Sequence, residues 1–132
     1  MLGSFDVMAF VVTTNTARAR VFYEETLGLR VVSEDANAIV LDANGTLLRV
    51  SQVRDFEPAS HTVLGWIVPD VRATVLQLGG QGVKFERYEE FTQDTLRICT
   101  FPDGTKVAWF KDPDGNTLSI SQLPPPPEGQ AH

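Results

Sequence analysis

Ala17-Arg-Ala-Arg-Val-Phe-Tyr-Glu-Glu-Thr-Leu-Gly-Leu29 is the stretch from which the rest of the chain can be read. Ala19, Phe22, Tyr23 and Leu27 recur at helical spacing, with Arg18, Arg20, Glu24 and Glu25 on the other faces, which predicts an amphipathic helix over 17–27. Thr13-Thr14-Asn15-Thr16 offers N-cap oxygens ahead of it, and Gly28 can take the left-handed conformation that ends it. The apolar run 5–12 before the helix has strand length. Behind the helix, 29–33, 38–43 and 46–52 read as strands. The last two flank Asn44-Gly45, a hairpin signal, because both central residues of a type I′ turn need a positive φ. The first half therefore reads β-α-β-β-β.

The pattern then starts again. Thr62–Val68 is an apolar run, Asp70 is a candidate N-cap, and Val71, Val75, Leu76 and Leu78 form a helical stripe stopped by Gly79, Gly80 and Gly82. Val83–Tyr88 reads as a strand and 89–94 as a polar loop interrupted by Phe91. Thr95–Phe101, Lys106–Lys111 and Asn116–Gln122 read as strands joined by two Pro-Asp-Gly turns, so the second half follows the element order of the first. Two halves matched in this way suggest a duplication, each half having too little surface to close a core alone. The expected organisation is a first module over 1–57, a second over 58–123 and a Pro-rich tail over 124–132, extended or frayed.

Composition narrows the function classes. The chain has 132 residues, 17 acidic and 11 basic, with a formal net charge of −6 and one cysteine. That balance argues against nucleic acid, whose binding rests on Lys and Arg neutralising phosphates. Cys99 has no partner for an internal disulfide, and no Cys/His spacing suggests structural zinc. No stretch has the apolar length of a membrane span, and no basic segment precedes an apolar run at the N-terminus. A cytoplasmic protein that contacts no membrane is expected.

Three stretches in order, 17–29, then Val68-Pro-Asp-Val71 through Leu78-Gly-Gly-Gln-Gly-Val83, then Ala108-Trp-Phe-Lys-Asp-Pro-Asp-Gly-Asn-Thr-Leu-Ser119, resemble the vicinal oxygen chelate superfamily. It includes glyoxalase I, extradiol dioxygenases, fosfomycin resistance proteins and bleomycin-binding proteins. With the duplicated order, the likeness spans nearly all of 5–122. It implies an α+β fold: two tandem βαβββ modules whose cup-shaped, partly open mixed sheet surrounds a cavity, usually in a homodimer. The aspartates of Asp112-Pro-Asp-Gly-Asn116 are read as turn formers that bond nearby backbone donors, not as metal ligands.

Metalloenzymes of this superfamily hold a divalent ion with His or Glu on the first and last strands of each half. By the resemblance, those positions correspond here to Met8, Arg49, Val63 and Ser119. None is a normal ligand for a hard divalent ion, and an Arg adds fixed positive charge where a cation should sit. The expectation is no metal and no cofactor. Strand alternation places Met8, Phe10 and Val12 of the first strand, Leu47, Arg49 and Ser51 of the fourth, and Thr117, Ser119 and Ser121 of the last on the concave side. His61 and Val63 share one parity, and Arg97 and Cys99 alternate with Leu96 and Ile98. Trp109 lies across the final hairpin from Ser119.

Met8, Phe10, Arg49, His61, Val63, Arg97, Trp109 and Ser119 are thus the candidate ligand-binding residues. An apolar, aromatic surface with a few hydroxyls and guanidiniums suits a small organic molecule, with stacking and a charge-assisted bond from Arg to a carboxylate or phosphate. The net charge instead favours cationic ligands at long range. The alternative is a lyase, isomerase or dioxygenase on the same scaffold, metal-dependent or using Glu86, Tyr88 or His61 as acid/base groups.

Overall fold

A computed structural model describes residues 1–126. The element order is β1 (Met8–Thr13), α1 (Thr16–Arg20) running on as a π-helical turn (Val21–Thr26), β2 (Arg30–Glu34), β3 (Ala38–Ala43), β4 (Thr46–Gln52), β5 (Thr62–Ile67), α2 (Val71–Gly80), β6 (Cys99–Thr100), β7 (Lys106–Lys111) and β8 (Thr117–Gln122). The fold is α+β, with two βαβββ modules and a four-stranded sheet in each. The strand orders are β1-β4-β3-β2 and β5-β8-β7-β6. Of the expected Pro-rich tail over 124–132, residues 127–132 lie outside the described residues, whereas Pro124 stands against Gly104.

The first sheet is mixed: β1 runs parallel to β4, and β4 antiparallel to β3, with Val11 opposite Val50 and Ile39 opposite Val50. Val11, Ile39, Leu41, Leu48 and Val50 are buried on its core face, along with Ala19 and Tyr23 from the helix. The Asn44-Gly45 turn has φ of 52° and 95°, the type I′ pattern that sets the β3–β4 register. Asn15 proves to be the N-cap among the four candidates, its side chain accepting from the Arg18 amide at 3.0 Å. The helix departs from regular α form after Arg20: the Leu27 N–H donates to the Phe22 carbonyl, five residues back, at 2.9 Å. Apolar spacing does not register such a change of ladder.

The compact unit built on this sheet comprises 1–64 together with 111–117, so the Asp112-Pro-Asp-Gly-Asn116 turn packs as part of it. Asp112 is buried, and its carboxylate accepts from the Tyr23 hydroxyl at 2.6 Å, the Asn116 amide side chain at 2.8 Å and the Asp114 and Asn116 backbone at 2.9 Å. Asn116 in turn donates to the Val12 carbonyl of β1. Asp114 accepts from the Thr13 hydroxyl, the Thr14 amide and hydroxyl, and the Arg18 guanidinium at 2.8 Å. Burial works against the Asp114 charge, but the Thr13 and Thr14 hydrogen bonds and Arg18 outweigh it and hold the carboxyl below its usual range. Burial first, then the Asp112 charge, pushes the Tyr23 phenol far above its usual range, so it stays a donor.

The second unit comprises 65–110 and 118–126 of the described residues. Asp70 caps α2, accepting from the Ala73 amide at 3.1 Å. Two expected strands are corrected here. Segment 83–88 contributes only a bridge, Phe85 to Phe110, because the Tyr88 amide is taken by the Gln93 side chain at 2.7 Å. The strand expected over 95–101 shrinks to Cys99–Thr100, since Asp94 accepts the Leu96 and Ile98 amides and Arg97 sits at a φ of 70°. Local side-chain bonds thus compete with the ladder.

Tyr23→Phe leaves the buried Asp112 carboxylate one donor short and should cost about 1–3 kcal/mol in urea unfolding at pH 7. The Asp114 contribution has the sign of a depressed carboxyl: present above the unfolded value of about 4, and lost as pH falls through the lower folded value. The stability gap between wild type and Asp114→Asn should therefore be constant above about pH 5 and close below about pH 4, measured by urea titration at each pH.

Candidate functional site

The open face of the first sheet is built by strand alternation. Core-facing Val11 and Thr13 leave Met8, Phe10 and Val12 on the opposite side, and Leu48 and Val50 do the same for Leu47, Arg49 and Ser51. Parallel register sets Phe10 beside Arg49 and Met8 beside Leu47, while Val40 flanks Arg49 from β3. Phe10, in mid-strand, is 59% exposed, and Met8, which opens β1, is 40% exposed. Arg49 is half-buried, and its Nε donates to the Ser51 hydroxyl at 3.2 Å. It makes no ion pair among the described residues. The Asp35 carboxyl lies within reach of its field but is committed to the Asn37 and Ala38 amides, which chiefly lower its pKa.

The second sheet holds the remaining candidates. His61 is exposed just before β5, and Val63 is exposed on it. Ser119 is buried on β8, its hydroxyl lying 2.5 Å from where a Cβ on Gly65 would stand, so the glycine makes room for the serine. The expectation for Arg97 is corrected: with a φ of 70° outside β6, it does not share strand parity with Cys99, which is buried. Trp109 lies in an aromatic cluster. Phe91 stacks on it with centroids 5.0 Å apart and planes at 19°, and Tyr88 meets it edge-on at 5.4 Å. The loop carrying these rings is pinned by Gln93, whose amide donates to the Glu86 and Arg97 carbonyls at 2.9 and 2.8 Å. Tyr88 is thereby committed to an aromatic cluster. Phe91, the one apolar residue of a polar loop, was the sequence signal for this cover.

The donor set at Met8, Arg49, Val63 and Ser119 is a thioether, a guanidinium, an alkyl group and a hydroxyl. These do not fit a divalent ion, which needs carboxylate, imidazole or thiolate ligands. Among the described residues no three His, Cys, Asp or Glu side chains converge.

The sequence profile of the Glyoxalase/Bleomycin resistance protein/Dioxygenase superfamily matches residues 5–120. The chain belongs to this superfamily. A search of curated proteins finds no match. Among solved structures, the chain is similar to a glyoxalase family protein from Enterococcus faecalis, with 21% identity and a TM-score of 0.71, covering 92% of this chain and 99% of that one. A lactoylglutathione lyase from Agrobacterium tumefaciens shows 13% identity and a TM-score of 0.69, covering 90% and 93%. A superfamily member from Sphaerobacter thermophilus shows 19% identity and 0.69, covering 90% and 97%. At these identities the likeness is one of fold, and the site must be argued from its own residues. No helix among the described residues is long and apolar enough to cross a membrane.

Phe91→Ala should uncover the Trp109 ring. Tryptophan emission is expected to shift to the red and acrylamide quenching to rise; unchanged quenching would mean that Phe91 does not cover the indole.

Proposed function

We propose that this superfamily member binds a small organic molecule without a metal, on the open face of the first sheet. The carrying observation is Arg49, a half-buried cation that makes no ion pair among the described residues, set between Val40 and the exposed Phe10. An apolar or aromatic body would lie against Phe10, Met8 and Leu47, and an acidic group would take the guanidinium's outer N–H donors. The net charge of −6 points the other way, but at physiological salt it is screened beyond about 8 Å, and the local guanidinium decides orientation. On the second sheet, His61 and Val63 at the start of β5 and Ser119 on β8 are proposed ligand contacts in their own right. Trp109 would contribute only by the ring edge that Phe91 and Tyr88 leave open.

Arg97 is retained as a proposed anion contact on different grounds, developed below. We further propose a cytoplasmic homodimer. Exposed Leu2, Phe5 and Val7, 75%, 62% and 74% accessible, support a second copy as their cover.

A thermal-shift screen of small aromatic and aliphatic acids, with and without EDTA, tests the reading. A saturable hit indifferent to chelator is expected, with Arg49→Gln weakening it about 10- to 100-fold, as loss of a charge-assisted hydrogen bond implies. Binding that vanishes with EDTA, or that Arg49→Gln leaves intact, would contradict it.

A further inference from the structure

The helix side of the second unit carries a groove of its own. An open groove of about 510 Å³ runs between α2 and the segment 84–97. That volume falls within the range of small-molecule pockets, about 300–1,000 Å³. Val75, Leu76, Phe85 and Leu96 give it an apolar lining, and Leu76 is 55% exposed there despite sitting in mid-helix. Lys84 and Arg97 supply its charges, and no acidic side chain lines it. Two cations with no lining carboxylate are conspicuous in a chain of net charge −6.

Neither cation makes an ion pair among the described residues. The acidic residue nearest to Arg97 along the chain, Asp94, is committed: its carboxylate accepts from the Leu96 and Ile98 amides at 2.9 and 3.0 Å. The backbone of Arg97 is held in the left-handed region at a φ of 70°, a conformation that non-glycine residues adopt only at a cost. Its N–H donates to the Asp94 carbonyl at 2.9 Å and its carbonyl accepts from Gln93 at 2.8 Å, so the turn that presents the guanidinium is fixed from both sides. The groove is also unfilled by design of the helix: a Cβ added at Gly79, which lines it, would meet nothing within 4 Å.

We infer that this groove binds a free amphipathic monocarboxylate, such as a medium-chain fatty acid, with the alkyl chain along Val75, Leu76, Phe85 and Leu96 and the carboxylate between Lys84 and Arg97. An apolar floor without cations would take a neutral hydrocarbon equally well; two unpaired cations at its edge select the acid. No step of chemistry is involved, only capture.

The test is a titration of the full chain with sodium decanoate below its micelle concentration, read by amide and methyl NMR shifts, with decanol and anionic phospholipid vesicles as parallel probes. Saturable shifts centred on Val75, Leu76 and Leu96 are expected, with decanol at least tenfold weaker and vesicles producing no line broadening. The double variant Lys84→Gln/Arg97→Gln should lose tenfold or more in affinity. Gly79→Leu places a side chain in the groove at a helical position where glycine is a poor helix former, so it should fold at least as well and show no decanoate shifts at Val75, Leu76 and Leu96. Arg49→Gln should leave this binding unchanged, which separates it from the open-face site. Shifts confined to Phe10 and Leu47, equal binding of decanol, preference for vesicles, or undiminished shifts at Val75, Leu76 and Leu96 in a folded Gly79→Leu variant would each overturn the inference.

Discussion

The buried carboxylate of Asp112 is the constraint around which the first unit is assembled. An anion 6% exposed is tolerable only if its lone pairs are filled, and four donors fill them: the Tyr23 hydroxyl, the Asn116 side chain and two backbone amides of its own turn. Each tie has a structural consequence. Tyr23 fixes the helical segment that covers the sheet, Asn116 reaches the Val12 carbonyl on β1, and Asp114, two residues on, gathers Thr13, Thr14 and Arg18 where β1 passes into α1. The last residues of β1 are thereby held, and with them the strand that carries Phe10. A chain-distant turn so determines where one wall of the candidate site stands.

Most of this architecture is legible in the sequence where periodicity and turn chemistry agree. β3, β4 and β7 fall where alternation and the Asn44-Gly45 and Pro-Asp-Gly signals place them, and the open-face parity of Phe10 and Arg49 follows from the same alternation. Failures cluster between α2 and β7. There the side chains of Gln93 and Asp94 capture backbone amides that a strand would have used, and nothing in hydrophobic spacing announces which amide a given Asp or Gln will take. In that segment Ile98 and Cys99 are buried, but only Cys99 belongs to a strand. Likewise, the aspartates of 112–116 are recognisable as turn formers, but their role as acceptors for Tyr23 and Thr13, about 90 to 100 positions earlier, is a long-range fact that only the fold supplies.

The candidate site shows the same division. Residue types at Met8, Arg49, Val63 and Ser119 already speak against a divalent ion, because donor chemistry does not depend on exact placement. What alternation alone could not say is that Arg49 makes no ion pair among the described residues, that Gly65 yields its space to Ser119, and that Phe91 and Tyr88 cover much of Trp109. Those three facts shift the emphasis from an aromatic cleft to one guanidinium on an apolar sheet face. They also explain why the long-range charge of the chain is a poor guide: orientation of a ligand within a few ångströms is set by the nearest unpaired charge.

In the proposed function, direct contact with an organic ligand takes the place of metal coordination on this scaffold. Elemental analysis of the purified protein for nickel, zinc, manganese and iron tests it most directly. Far less than one equivalent of each per chain is the result that the donor set requires; about one equivalent of any of them, retained through gel filtration, would contradict it.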